Sequence, residues 1–139
     1  MTDTLHQNLH QYSLVTLATI LIAMGYIVTI AMVGYNRQKH KIQPPAMTGH
    51  IELEKAVRVQ MNNLENLIFV LPILWIFAFY VSSFWAGVLG LVWLFGRIIY
   101  SIGYYKDIQS RVLGSFFYAP ASLTLLFGSL WAVIMHLFK

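Results

Sequence analysis

Four long apolar runs, separated by short polar stretches, divide this chain. The first, Leu14–Tyr35, holds no charged residue. As a helix rising 1.5 Å per residue it extends ~33 Å, enough to cross the hydrocarbon core of a bilayer. No Lys or Arg precedes it and it is too long for the apolar part of a signal peptide, so it reads as a membrane span. A basic stretch follows, Asn36–Gly49, in which Pro44 and Pro45 forbid a continuous helix. Thr48 is placed to cap the next helix, with Glu52 and Glu54 in its first turn. That second helix, Ile51–Tyr80, is polar in its first half and apolar in its second, and Pro72 is expected to kink it. After a turn at Val81–Phe84, a third helix covers Trp85–Tyr105, interrupted by Arg97. The polar link Lys106–Arg111 leads to a fourth, Val112–Phe138. The pattern predicts an all-α integral membrane protein, a four-helix transmembrane bundle forming one domain over residues 1–139, without internal repeats.

Composition sharpens this picture. Hydrophobic residues make up 58% of the chain and charged residues 10%, against about 25% in soluble domains. Such a surface suits lipid, not water. The formal net charge of +4 does not mark a nucleic-acid binder, because the charges sit at the ends of the apolar runs. Arg37, Lys39, Lys41, Lys55, Arg58, Lys106 and Arg111 all fall on the side of the first and third connections, whereas the other side has Lys139, beside Asp3. The positive-inside rule puts both basic loops in the cytoplasm and both termini outside. There is no cysteine, which excludes disulfides, thiolate metal sites and a catalytic Cys. The histidines are too scattered along the chain to suggest a metal site; His6 and His10 are four apart but lie in the N-terminal segment. No phosphate-binding glycine loop, Ser-His-Asp order or metalloprotease motif is present.

Polar groups that enter hydrocarbon are the candidates for chemistry. In the second helix Arg58, Asn62 and Glu65 are spaced i, i+4, i+7 and fall within roughly 60° of one another, while Gln60 points about 160–200° away. In the third, Arg97, Tyr100 and Tyr104 share a face, which Arg111 joins if the helix continues that far. Two stripes of cation, amide, carboxylate and phenol near the cytoplasmic boundary suit a small zwitterion: arginines fork onto carboxylates and a glutamate holds an ammonium. Structural readings stand beside these. Arg58 and Glu65 can be a pair that joins helices. Arg97 is read as structural, neutralising Glu65 or snorkelling. Tyr100 and Tyr104 can be interfacial belt residues, and Arg37, Lys39 and Lys41 orientation determinants. Trp75, Trp85, Trp93 and Trp131 read as packing, lipid-facing or belt residues.

The run from Glu54 to Glu65, with Arg58, Gln60, Asn62 and Glu65 in an R-x-Q-x-N-x-x-E pattern, resembles the signature of the membrane-associated proteins in eicosanoid and glutathione metabolism, the MAPEG family. A second stretch, Arg97, Tyr100, Gly103 and Tyr104 followed by Gln109 and Arg111, is similar to the R-x-x-Y-x-x-G-Y and Q-x-R elements of its microsomal glutathione S-transferase branch. The Pro-Pro and Thr-Gly of the first loop also fall in register. The resemblance runs from about Arg37 to Arg111, and length and hydropathy fit across the whole chain. It implies a homotrimer that binds glutathione between subunits. Arg58, Asn62, Glu65, Tyr100, Tyr104 and Arg111 would line the pocket from one subunit, with Arg37 and Gln60 reaching in from the next. Arg111 matches the arginine that holds the glutathione thiolate, which makes it the catalytic candidate. One departure is Asn66, where the lipid-synthase branch has tyrosine after the motif glutamate.

The function the resemblance implies is a membrane-bound glutathione S-transferase that conjugates the glutathione thiolate to lipophilic electrophiles arriving from membrane lipid, a detoxification chemistry, with glutathione peroxidase as a side activity. Glutathione is the co-substrate; no metal and no nucleic acid is expected. The alternatives are a non-catalytic lipid-binding member of the same family and a small membrane transport subunit. Short loops and tails point to a bacterial inner membrane before the endoplasmic reticulum.

Overall fold

In the computed structural model, the backbone is described for residues 2–106 and 108–139 and the side chains for residues 10–106 and 111–139. Asp3, His6 and Gln109, named above, have side chains outside this set. Four helices form: α1 (Thr2–His40), α2 (Ile51–Tyr80), α3 (Ser83–Lys106) and α4 (Ile108–Leu137), and no strand is present among the described residues. All four contain stretches long and apolar enough to cross a membrane. With a bundle this apolar on its outside, the chain is an integral membrane protein.

The buried residues of α1 repeat with helical period. Val15, Ala18, Ile22, Thr29, Val33 and Asn36 form one stripe, while Leu17, Ile20, Met24, Ile27 and Val28 are exposed. An exposed face of this kind is stable against lipid or another membrane helix, not against water. Helices α2 and α3 occupy the centre. Helix α1 packs on both, and α4 packs on both, without contact between α1 and α4 among the described residues. The core gathers Val15, Ile22, Leu67, Val70, Leu74, Phe77, Trp93 and Leu125.

The tightest approach is between α3 and α4. A Cβ on Gly96 would lie 2.6 Å from the Tyr118 nitrogen and 2.8 Å from the Gly114 oxygen, and one on Gly114 would collide with the Tyr100 backbone. Small residues let membrane helices touch backbone to backbone in this way. The crossing fixes α4 beside the polar end of α3.

Several element boundaries differ from the sequence expectation. Helix α1 continues past Tyr35 to His40, because polar residues beyond an apolar run can remain helical once the helix is nucleated. The chain then reverses at Lys41, whose φ of 55° is left-handed, and Ile42 donates its N–H to the Arg37 carbonyl at 3.0 Å. The Pro44–Pro45 bond is cis and Gly49 has φ 119°. His50, not Thr48, caps α2: its Nδ1 accepts the Glu52 N–H at 3.2 Å. Helix α2 is assigned unbroken through Pro72. The turn before α3 shortens to Val81 and Ser82, and Ser83 Oγ donates to the Gln11 carbonyl at 2.7 Å, tying that end of the bundle to α1. Helix α4 begins at Ile108, so Arg111 lies in its first turn, beyond the end of α3 at Lys106. Lys55 Nζ donates to the Tyr105 carbonyl at 3.2 Å, which places the start of α2 beside the end of α3.

Candidate functional site

The polar residues of α2, α3 and α4 meet at that end. Arg97 is the hub. It is 3% exposed, within an otherwise apolar helix. A buried guanidinium needs acceptors. Arg97 Nε donates to Asn63 Oδ1 at 2.9 Å, and Nη2 donates to Asn63 Oδ1 at 2.6 Å and to Asn62 Oδ1 at 2.7 Å. Asn63 in turn donates Nδ2 to Ser101 Oγ at 3.3 Å. The guanidinium carbon lies 4.7 Å from the ring centres of both Tyr100 and Tyr118 and 5.9 Å from that of Trp93, so aromatic faces supply the remaining compensation. The structural role read for Arg97 fits these contacts, but its partners are the two asparagines, not Glu65, and its burial excludes snorkelling.

From Arg97 a row of groups runs toward the helix ends. Tyr100 and Tyr104 sit with ring centres 6.2 Å apart, and the Arg111 guanidinium carbon lies 5.7 Å from the Tyr104 ring centre. Tyr118 closes edge-on against Tyr100 at 5.8 Å. Thus Asn62, Tyr100, Tyr104 and Arg111 belong to one connected assembly contributed by three helices. Among the described residues neither Arg97 nor Arg111 pairs with a carboxylate; the carboxylate contacts there are the Lys39–Glu52 ion pair and the hydrogen bond between His40 and Glu52.

The other four candidates stand apart from this row. Arg58 and Glu65 are exposed on the stripe of α2 that carries Asn62, and they make no ion pair with each other. Gln60 is half-buried. Arg37 is half-buried near the end of α1, and its Nη1 is buried without a partner among the described residues. Asn66, at the position of departure, donates Nδ2 to the Asn62 carbonyl at 2.8 Å and is spent locally.

A groove of about 450 Å³ opens between α1, α2 and α3. None of the eight candidate residues lines it. Asn63, Arg97 and Ser101 do, among Ile22, Trp93 and Leu94. Its wall is therefore part of the support beneath the candidate site, not the site itself.

Sequence reasoning missed Asn63, Ser101 and Tyr118. A signal for the first was available: an arginine buried in hydrocarbon demands acceptors, and Asn63 is the amide that faces inward from α2. Tyr118 carried no such mark, since only the Gly96–Gly114 crossing brings it to Arg97.

The family model for the MAPEG family matches residues 15–134. The chain is 42% identical over 121 residues to an uncharacterized protein of Synechocystis, covering 87% of this chain and 88% of that one. It is 39% identical over 82 residues to microsomal glutathione S-transferase 2 of Mus musculus, a match spanning 59% of this chain and 56% of the mouse protein. To leukotriene C4 synthase of Cavia porcellus it is 33% identical over 100 residues, 72% of this chain and 67% of that one. With the family match extending over most of the chain and four helices long and apolar enough to cross a membrane, the protein belongs to the MAPEG family.

Proposed function

We propose that this protein is a glutathione S-transferase of the membrane, joining the glutathione thiolate to lipophilic electrophiles. The observation that carries the reading is the row Asn62–Arg97–Tyr100–Tyr104–Arg111, which ends in a guanidinium that has no carboxylate partner among the described residues. A guanidinium without a counter-ion at the edge of a low-dielectric layer favours an anion. A free thiol of pKa near 8.5 is a few per cent ionised at neutral pH, and Arg111 would raise that share. The thiol proton leaves to solvent. The sulfur electron pair then forms the S–C bond, and the leaving group departs with its own bonding pair, or a strained ring oxygen takes it and is protonated. The protein needs no nucleophile of its own, in keeping with its lack of cysteine.

In this reading Arg58 and Glu65 hold the glutathione carboxylates and ammonium, and Arg37 and Gln60 reach the site from a neighbouring subunit of a homotrimer. Exposed charge on a membrane helix is unfavourable by ~2.5–3.5 kcal/mol per residue at mid-bilayer and less toward the boundary. Cover from a neighbouring subunit and a ligand relieves that penalty. The same thiolate can attack a lipid hydroperoxide oxygen, releasing alcohol and leaving a sulfenic acid that a second glutathione reduces to the disulfide. The match to a Synechocystis protein supports a bacterial inner membrane as the location.

The test is conjugation of glutathione to a chromogenic aryl halide by the purified protein in lipid vesicles, with native mass spectrometry of the same preparation. Glutathione-dependent turnover by a trimer is expected. A well-folded trimer without turnover would favour the non-catalytic lipid-binding reading, and monomers alone would remove the inter-subunit site.

A further inference from the structure

His40 and His50 are ten positions apart, and nothing in that spacing suggests a shared task. The fold brings them ring to ring. His40 is the last residue of α1 and His50 the cap of α2. With the turns at Lys41 and Gly49 closing the loop, their ring centres are 3.4 Å apart and nearly parallel, at 15°. Glu52, in the first turn of α2, completes the group: its Oε2 lies 2.8 Å from His40 Nε2 and 2.6 Å from Lys39 Nζ. One donor atom from each of His40, His50 and Glu52 lies within 4.8 Å of the others.

We propose that His40, His50 and Glu52 form a binding site for a divalent cation of the zinc type, outside the glutathione site. Two imidazoles and one carboxylate are the ligand chemistry this ion prefers, and a water completes four-coordination. Bonds of ~2.0–2.2 Å with tetrahedral angles require donors about 3.3–3.5 Å apart. The His40–Glu52 pair is already near that spacing, bridged by a proton at 2.8 Å. The ion takes the place of the proton and widens the pair by roughly half an ångström. His50 must turn, because parallel stacked rings aim their lone pairs alongside each other and not at a common point. Its Nδ1 gives up the long 3.2 Å cap on the Glu52 N–H to do so. Glu52 must also share its oxygen away from Lys39, an exposed pair that is easily broken. Binding would clamp the end of α1 to the start of α2, one turn beyond Arg37.

The test is a titration of the chelator-stripped, purified protein with Co2+ as a visible-absorbing probe, followed by displacement with Zn2+. One Co2+ per chain with the d–d bands of tetrahedral coordination is expected. Zn2+ affinity should fall about tenfold or more in His50→Ala and in Glu52→Gln, the latter keeping the shape of the side chain. His10→Ala should bind as wild type. Lys39→Ala should bind several-fold more tightly, because it frees the carboxylate and removes a competing cation, whereas a merely structural Lys39–Glu52 pair gives no such gain. Absence of saturable binding to the wild type, unchanged affinity in the His40→Ala/His50→Ala double variant, or weaker binding by Lys39→Ala would each overturn the site.

Discussion

Replacing Arg111 by alanine should remove the stabilisation of the glutathione thiolate. The size of the effect follows from where the side chain sits. Arg111 is half-buried in the first turn of α4, with its guanidinium against the Tyr104 ring. A thiolate ~4 Å from that charge is stabilised by about 1 kcal/mol in water and about 4 kcal/mol at the dielectric of a protein surface. An intermediate value of ~2.7 kcal/mol is two pKa units. Bound glutathione would then ionise near pH 6.5 in the wild type and near 8.5 in the variant. At pH 7 the thiolate share drops from about three-quarters to about 3%, roughly 25-fold, while linkage weakens glutathione affinity only about fourfold. Turnover falls by less than the thiolate share, because a thiolate of higher pKa is the better nucleophile; a Brønsted slope of ~0.4–0.5 over two pKa units returns up to about tenfold. The rate deficit therefore lies between roughly 2.5- and 25-fold at pH 7 and shrinks as pH rises toward the free-thiol pKa. Arg111→Lys keeps the charge but loses the fork and should recover part of the effect. The assay is thiolate absorbance of bound glutathione, followed with rate from neutral to alkaline pH. Superimposable titrations in wild type and Arg111→Ala would refute the role, and Arg37 would be the next cation to examine.

Three further outcomes are expected. Gly114→Ala forces a methyl group onto the Tyr100 backbone; the overpacking should destabilise the protein by about 1–3 kcal/mol, and the displaced α4 should lower turnover, both read from thermal unfolding in detergent and the conjugation assay. Asn63→Ala should lower the thermal midpoint more than Asn62→Ala, since Asn63 Oδ1 accepts two of the three Arg97 bonds and is buried; breaking the support of a buried charge costs about 3–5 kcal/mol, and equal midpoints would contradict the hub. Arg58→Ala and Glu65→Ala should each weaken glutathione binding by about 2 kcal/mol without lowering the thermal midpoint, because neither forms an ion pair among the described residues; unchanged calorimetric affinity in both would return them to surface roles.

Much of the architecture was legible in the sequence because a bilayer imposes its own length and polarity on each run. The four runs and their order hold, as does the alignment of Tyr100 and Tyr104 with Arg97, which needs only the helical period. What the sequence hid was mostly set by contacts between helices. Apolar length marks a span and not a helix end, so α1 reaches His40 well past Tyr35. Arg111 meets Tyr104 from α4, through the Gly96–Gly114 crossing, and not by continuation of α3. Asn62 and Asn63 are neighbours in sequence, but only the fold shows that Asn63 is the inward one and takes most of the Arg97 hydrogen bonds. The His40–His50 stack depends on two left-handed backbone positions in a loop, one of them at Lys41, a residue type that gives no sign of it.

Titration calorimetry of glutathione into the purified, membrane-embedded protein tests the central claim most directly, because a transport subunit has no need of a soluble thiol and a lipid-binding relative has no need to hold one. Saturable binding, with proton release that disappears in Arg111→Ala, is the predicted result. A folded protein that takes up no glutathione at millimolar concentration would contradict the account.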